Sequence, residues 1–187
     1  MAIKLFLKIF FSLPVWLLRC LTFQKSTIIN NQILDFQTQV FLKLQSLQAN
    51  TFDNPNTFNS AQELREELES GRDGLPLNAK PRRSVQTIDH FIPTEFGELK
   101  IREYCPERVL MESPILYFHG GGYVLGSIGT HDPWLKFFSA EIGAKIFSLE
   151  YRLAPENKFP SSVQDSNLAL EWLENKLSLP IKQISLC

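Results

Sequence analysis

The sequence predicts an α/β fold, from three observations. Residues 113–118 (SPILYF), 145–151 (KIFSLEY) and 181–187 (IKQISLC) are short apolar runs without alternation, the texture of strands covered on both faces. Segments of helical period lie between them. The resulting order of strand, helix, strand, helix, strand is that of a parallel sheet with helices packed on it. Composition agrees: the 187 residues are 44% hydrophobic, with 15 Phe to build a core. Lys+Arg 19 against Asp+Glu 20 leaves a net charge of −1, which argues against a basic nucleic-acid binder and against an acidic solvating tail. Cys20, Cys105 and Cys187 are scattered and odd in number. They make neither a disulfide framework nor a C-x-x-C metal pair, and they point to a reducing, cytoplasmic compartment.

Residues 1–28 read as an amphipathic N-terminal segment. Lys4 and Lys8 share a narrow stripe, the other faces are Leu, Ile and Phe, and Pro14 is placed to kink or restart the helix. The longest uncharged stretch, Ile9–Leu18, is short of the roughly 20 residues that span a bilayer. The run is followed by Arg19-Cys20-Leu21-Thr22-Phe23, which offers no small-residue cleavage site. Two readings stay open, with a signal anchor third: an interfacial helix giving peripheral membrane contact through residues 3–23, or a cap helix packed on the chain's own core. Lys4, Lys8, Arg19 and Lys25 occur in residues 1–34 without an acid, so the remainder of the chain is net acidic.

Residues 29–84 read as a helical cap and linker. Ile33, Leu34, Phe36, Val40, Phe41, Leu44 and Leu47 recur near helical period. Residues 51–59 are a loop by their Asn, Asp and Pro content. Ser60 and Glu63 form a capping-box pattern that opens a helix to Ser70, with Gly71 placed as its stop and 72–84 as a linker. These helices carry no evident chemistry.

Residues 85–187 read as a truncated α/β core. SVQTIDHFI and ELKIREY alternate around PTEFG, a β-hairpin with Gly97 in the turn. A helix is expected over Pro133–Ile142, capped by Asp132, with Trp134, Phe137, Phe138 and Ile142 on one face. Another is expected over Ser162–Leu177, with Val163, Leu168, Leu170, Trp172 and Leu173 among its apolar positions.

Directly after the strand ILYF comes His119-Gly120-Gly121-Gly122-Tyr123. Consecutive glycines are costly in chain entropy and are tolerated where the backbone needs unusual torsions or close approach to a ligand. The place is the C-terminal end of a central strand, where open α/β sheets bind ligands. Successive N–H groups there can meet one small anion, such as the oxyanion forming on an ester carbonyl, and contribute roughly 3 kcal/mol per donor to a transition state. The next strand is followed by YRLAPENKFP (151–160) and then Asp165. Arg152 is free to pair with Glu156 or Asp165 and brace the loop. Tyr123 is placed to touch an acyl chain or to pack under the cap.

HGGG after one strand, YRLAPENKFP after the next, and then Asp165 resemble the hormone-sensitive-lipase-like carboxylesterases and lipases of the α/β-hydrolase fold, over roughly residues 30–187. The resemblance implies the N-terminal part of an α/β-hydrolase sheet with an N-terminal helical cap, a small-molecule ester substrate for the complete enzyme, and no cofactor or metal. It implies oxyanion-hole N–H groups from Gly121 and Gly122, with His119, Gly120, Tyr123, Arg152, Glu156 and Asp165 in support.

The family's nucleophile sits in a G-x-S-x-G turn. No such pattern occurs in this sequence, and Ser127 in LGSIGT lacks the spacing. By the resemblance that turn would begin after IKQISLC, with the catalytic Asp and His later still. The expectation is therefore an N-terminal fragment that supplies cap and oxyanion hole and is inactive alone. His90, His119 and His131 have no adjacent nucleophile and no metal-ligand spacing, and read as structural. Two further classes are weighed. One is a non-catalytic ligand- or membrane-binding remnant of the fold. The other is a nucleotide-binding domain built on Gly120, Gly122 and Gly126 with Glu150 on the ribose.

Overall fold

A computed structural model describes residues 10, 12–23, 25–29, 31–48, 60–72, 81 and 83–187. The chain divides into two compact units, Met1–Ser60 with Gly74–Pro76, and Ala61–Asp73 with Leu77–Cys187. The helix at 61–72, placed with the cap by sequence, thus groups with the sheet.

In the first unit, helix α1 (Val15–Thr22) starts after Pro14, which supplies an extended N-cap and ends whatever precedes it. Leu18 is fully buried against Phe36 and Val40 of helix α2 (Phe36–Gln48). Between them Ile28–Ile29 (β1) pairs with Gln32–Ile33 (β2) around a left-handed Asn31. The helix expected over 31–50 therefore begins only at Phe36. Asp35 fixes that start by accepting from the Thr38 N–H (2.8 Å) and hydroxyl (3.1 Å). The part of the N-terminal segment at 1–9, the loop at 51–59 and most of the linker lie outside the described residues.

The second unit holds helix α3 (Ala61–Arg72), which runs past the stop expected at Gly71. The hairpin forms as read: β3 (Val85–Thr94) pairs antiparallel with β4 (Gly97–Pro106), with Gly97 at φ 113°. Then follow β5 (Met111–Phe118), α4 (Ile128–Ile142), β6 (Ala144–Glu150), α5 (Ser161–Leu177) and β7 (Ser185–Leu186). The five-stranded sheet has the order β3-β4-β6-β5-β7 and is mixed: β4 is antiparallel to β6, while β5 is parallel to both β6 and β7.

Strand alternation sends Leu116, Phe147, Leu149, Leu99 and Ile101 to one face, against Ala169 and Leu173 of α5. Ile115, Ile146 and Tyr104 face the other way, against Leu135 of α4. Each fully buried aliphatic side chain contributes about 2 kcal/mol, so both sheet faces are strongly covered. This is why the runs at 113–118 and 145–151 show no polar alternation.

Two further elements differ from the sequence expectation. Helix α4 begins at Ile128, five residues before Pro133, because Ser127 and Thr130 form a reciprocal capping box. Asp132 is consequently inside the helix and accepts from Arg102 (3.0 Å), the Tyr104 hydroxyl (3.2 Å) and Lys136 (2.6 Å). The buried face of α4 is Ile128, Leu135, Ser139 and Ala140, whereas Trp134 is 45% exposed. IKQISLC is a one-turn 3₁₀ helix (Ile181–Gln183) followed by the two-residue β7, and only Ile184 is buried.

Candidate active site

The loop after β5 is built on one turn. Gly121 O accepts from the N–H groups of Val124 (3.2 Å) and Leu125 (2.9 Å). Gly121 sits at φ 135°, and a Cβ there would lie 2.0 Å from Leu125 O. At Gly126, φ is 90° and a Cβ would lie 2.3 Å from Gly120 O and 2.6 Å from His119 Nδ1. Torsion and space both demand glycine at these two positions. Gly122 and Tyr123 continue in the left-handed region at φ 61° and 64°. Among the described residues no protein acceptor takes the exposed N–H of Gly121 or Gly122.

His119 is 3% exposed and its ring stacks on Tyr151 at 4.2 Å. The Tyr151 hydroxyl donates to His119 O. Burial pushes that phenol up to about 12, so it remains a donor. Burial also lowers the His119 pKa, which keeps the imidazole neutral. Nδ1 stands 3.1 Å from Gly120 O; a carbonyl only accepts, so this nitrogen carries the proton. His119 is thus a brace of the loop. His131 Nδ1 lies 2.9 Å from Thr130 Oγ1, with its ring 5.8 Å from that of His119, and His90 Nε2 lies 2.8 Å from Glu103 Oε2.

The loop after β6 is saturated with ion pairs. Between Glu156 and Asp165, Arg152 takes Asp165. The buried carboxylate accepts from Arg152 N (2.8 Å), Nε (3.0 Å) and Nη2 (2.8 Å). The guanidinium lies 4.1 Å over the Phe96 ring. Both proline peptide bonds here, Ala154–Pro155 and Phe159–Pro160, are cis. The loops are joined directly by the Ala154 N–H on Tyr123 O (2.8 Å).

Glu156 turns instead to Arg65 of α3, which the sequence reading missed. Arg65 donates through Nε to Val124 O (2.7 Å) and through Nη2 to Ala154 O (2.6 Å), and its fork pairs with Glu156 (2.9–3.0 Å). One turn on, Glu69 accepts from the Ser127 hydroxyl (2.9 Å). Two residues on one face of α3 therefore hold both sides of the glycine loop. Their i,i+4 spacing reads locally as a solvated helix face, and nothing nearby in sequence marks partners some 60 and 90 positions away.

Phe118, the glycines, Tyr123 and Leu186 form one side of a cleft of about 540 Å³, and Ser162, Val163, Ser166 and Leu170 of α5 form the other. Val163, expected on the apolar face of α5, is 44% exposed at this cleft. The Ser166 hydroxyl donates to Ser162 O (2.7 Å), and neither serine is bonded to an imidazole. The Ser127 hydroxyl is occupied as a helix cap. Among the described residues no group of three or more His, Cys, Asp or Glu side chains is placed to hold a metal ion. Glu150 Oε2 accepts from Ile128 N at the start of α4 (2.9 Å), so this carboxylate serves a helix N-terminus. That helix starts six residues beyond Gly122, where a nucleotide-binding glycine loop would need it at once.

Comparison with known proteins agrees with this geometry. The family profile described as alpha/beta hydrolase fold matches residues 115–186. An arylesterase of Saccharolobus solfataricus is 38% identical over 112 residues, which cover 59% of this chain and 35% of that protein. The carboxylic ester hydrolase LipN of Mycobacterium tuberculosis is 33% identical over 98 residues, 52% of this chain and 26% of that protein. Among solved structures, the hyperthermophilic esterase of the archaeon Pyrobaculum calidifontis superposes with a TM-score of 0.66 at 29% identity, over 79% of this chain and 47% of that one. An arylesterase structure gives 0.64 at 31% identity, over 82% and 48%. The chain thus spans about a quarter to a third of these curated relatives and just under half of these structures. Its mixed sheet and its glycine loop at the end of β5 are those of the α/β-hydrolase fold, and these matches make the chain similar to esterases of that fold.

Proposed function

We propose that this chain is the N-terminal, oxyanion-binding part of a serine carboxylic-ester hydrolase. The observation that carries the reading is the pair of N–H groups at the exposed residues Gly121 and Gly122, which have no protein acceptor among the described residues and are held beside an apolar cleft at φ 135° and 61°. In the complete site a serine attacks the ester carbonyl, the alcohol leaves, and water releases the acyl-enzyme. The carbonyl oxygen carries the developing charge and accepts from these two groups, each contributing about 3 kcal/mol to the transition state. Tyr123 borders the acyl side of the cleft. Asp165–Arg152 and Arg65–Glu156 brace the loops without touching substrate.

The 187 residues contain no G-x-S-x-G, and the hydroxyls near the cleft or in the loop are engaged elsewhere or lack a base. The chain by itself is accordingly inactive in this reading. The test is turnover of p-nitrophenyl butyrate and labelling by a fluorophosphonate. Both are measured on the chain alone and on the chain joined after Cys187 to the remaining segment of the arylesterase relative. The chain alone gives neither turnover nor label. The fusion gives both, and Gly122→Ala lowers its kcat at least tenfold with little change in KM. Label on a serine of the isolated chain overturns the inactivity, and a fusion whose kcat ignores Gly122→Ala overturns the oxyanion assignment. A non-catalytic remnant is the second reading. It is favoured if an aryl boronate perturbs the Gly121 and Gly122 amides of the isolated chain while no fusion turns over.

A further inference from the structure

The first unit presents apolar side chains outward from two elements. On α1, Leu18 points into the unit, and the opposite stripe at helical spacing carries Trp16, Cys20 and then Phe23 at the C-cap. Trp16 is 66% exposed and Phe23 91%. On the β1–β2 ribbon, Ile28 and Ile33 are cross-strand partners, and both are more than half exposed. The charges carried by α1 and by the chain leading to the ribbon have one sign, and the first acid, Asp35, is turned to the Thr38 N–H and hydroxyl. Arg19 lies beside the stripe and Lys25 follows it, with Lys4 and Lys8 earlier in sequence and no Asp or Glu before Asp35. Arg19 is held in place, its guanidinium 5.2 Å over the Phe36 ring and bonded to Ser26 Oγ (3.1 Å). No helix among the described residues is long and apolar enough to cross a membrane.

We propose that this unit docks on an anionic bilayer surface, with Trp16 and Phe23 entering the headgroup boundary and Arg19 and Lys25 facing acidic lipid. An aromatic stripe flanked by cations is the pattern of helices that lie in the interface plane. The sign of the charge selects this occupant over a second copy. A symmetric contact would bring one basic patch against another and leave Arg19 and Lys25 with no acidic partner from α1 or the ribbon of the second copy, whereas an acidic headgroup neutralises them. The inference does not rest on the esterase reading, since it uses none of the residues of the second unit.

The test is co-sedimentation of the 187-residue chain with vesicles of phosphatidylcholine alone and with 30% phosphatidylserine. Binding is expected at least tenfold tighter on the acidic vesicles and lost in 0.5 M salt. The double variant Trp16→Ser/Phe23→Ser, at exposed positions, should bind at least tenfold more weakly. Lys25→Glu should cost about fivefold or more on acidic vesicles and nothing on neutral ones. Circular dichroism checks that helix content is kept. Equal binding to both vesicles, or full binding by the double variant, overturns the proposal. So does a dimer in light scattering that the double variant disperses, which would assign the stripe to a second copy.

Discussion

The loops after β5 and β6 leave the same edge of the sheet and are hydrogen-bonded to each other, yet their polar groups are used in contrary ways. The 151–160 loop ties its charges down: Arg152 to a buried Asp165, Glu156 to Arg65, and the Ala154 N–H and carbonyl to Tyr123 O and Arg65. The 119–127 loop is restrained around its margins, by Arg65 on Val124 O and Glu69 on Ser127, while the amides of Gly121 and Gly122 find no protein acceptor among the described residues. A rigid frame with unsatisfied donors at its centre is what preorganised anion binding requires. The charge-rich loop is thus the internally braced one, and the loop nearly devoid of side chains is the one to which the proposed function assigns the chemistry.

Removing the scaffold's anchor should have the largest effect. Asp165→Ala leaves the Arg152 guanidinium and its own backbone N–H without their acceptor; with Arg152 about one-fifth exposed, a loss near 3 kcal/mol is expected in urea unfolding. A loss under 1 kcal/mol would mean that the frame does not depend on this pair. Next come the glycines, which differ between themselves. Gly121→Ala drives a methyl into Leu125 O at a strained torsion and should cost about 2–3 kcal/mol. Gly122→Ala meets open space and should cost only about 1 kcal/mol for its left-handed φ. Equal losses at the two positions would contradict the loop geometry.

Arg65→Met keeps the apolar stem but frees the carbonyls of Val124 and Ala154, for about 1–2 kcal/mol. Amide exchange should quicken at 120–126 more than in α5. Uniform acceleration would reduce Arg65 to ordinary packing.

The smallest effect is one of pH. Burial lowers the folded pKa of His119, so just below the ordinary imidazole value the unfolded chain binds a proton that the folded chain refuses. Stability from this group is full above that value. It falls as pH drops toward the folded pKa, by at most about 1.4 kcal/mol per pH unit. Glu150 acts in the opposite sense, since burial raises its pKa and favours the folded state at lower pH. Comparing melting curves of the wild type and His119→Phe between pH 7 and 5 isolates the histidine. A variant with an unchanged pH slope would remove His119 from the account.

Much of the core was legible because it rests on local rules. Period-2 segments around Gly97 gave the hairpin, and unbroken apolar runs gave β5 and β6, since strands covered on both faces have no polar side to show. Helix starts were less legible. Pro133 and Asp132 look like an N-terminus, but the Ser127–Thr130 box lies upstream and Asp132 was drawn to Arg102 and Tyr104 across the sheet. The last run is as apolar as its predecessors, yet Pro180 begins a 3₁₀ turn and only two residues find a partner along β5.

Local patterning is enough to set the alternation of strands and helices and the position of the glycine loop at a strand end. Both follow from periodicity and from the scarcity of residues that tolerate such torsions. The sequence also narrowed the partners of Arg152 to two carboxylates. The choice between them is made in the folded molecule, because only folding buries Asp165 under the loop while leaving Glu156 at the surface within reach of α3. The tertiary structure alone revealed Arg65 and Glu69 as the holders of the glycine loop. Their partners are backbone oxygens and a helix cap far along the chain, and a carbonyl carries no sequence signature until packing brings it within hydrogen-bonding reach.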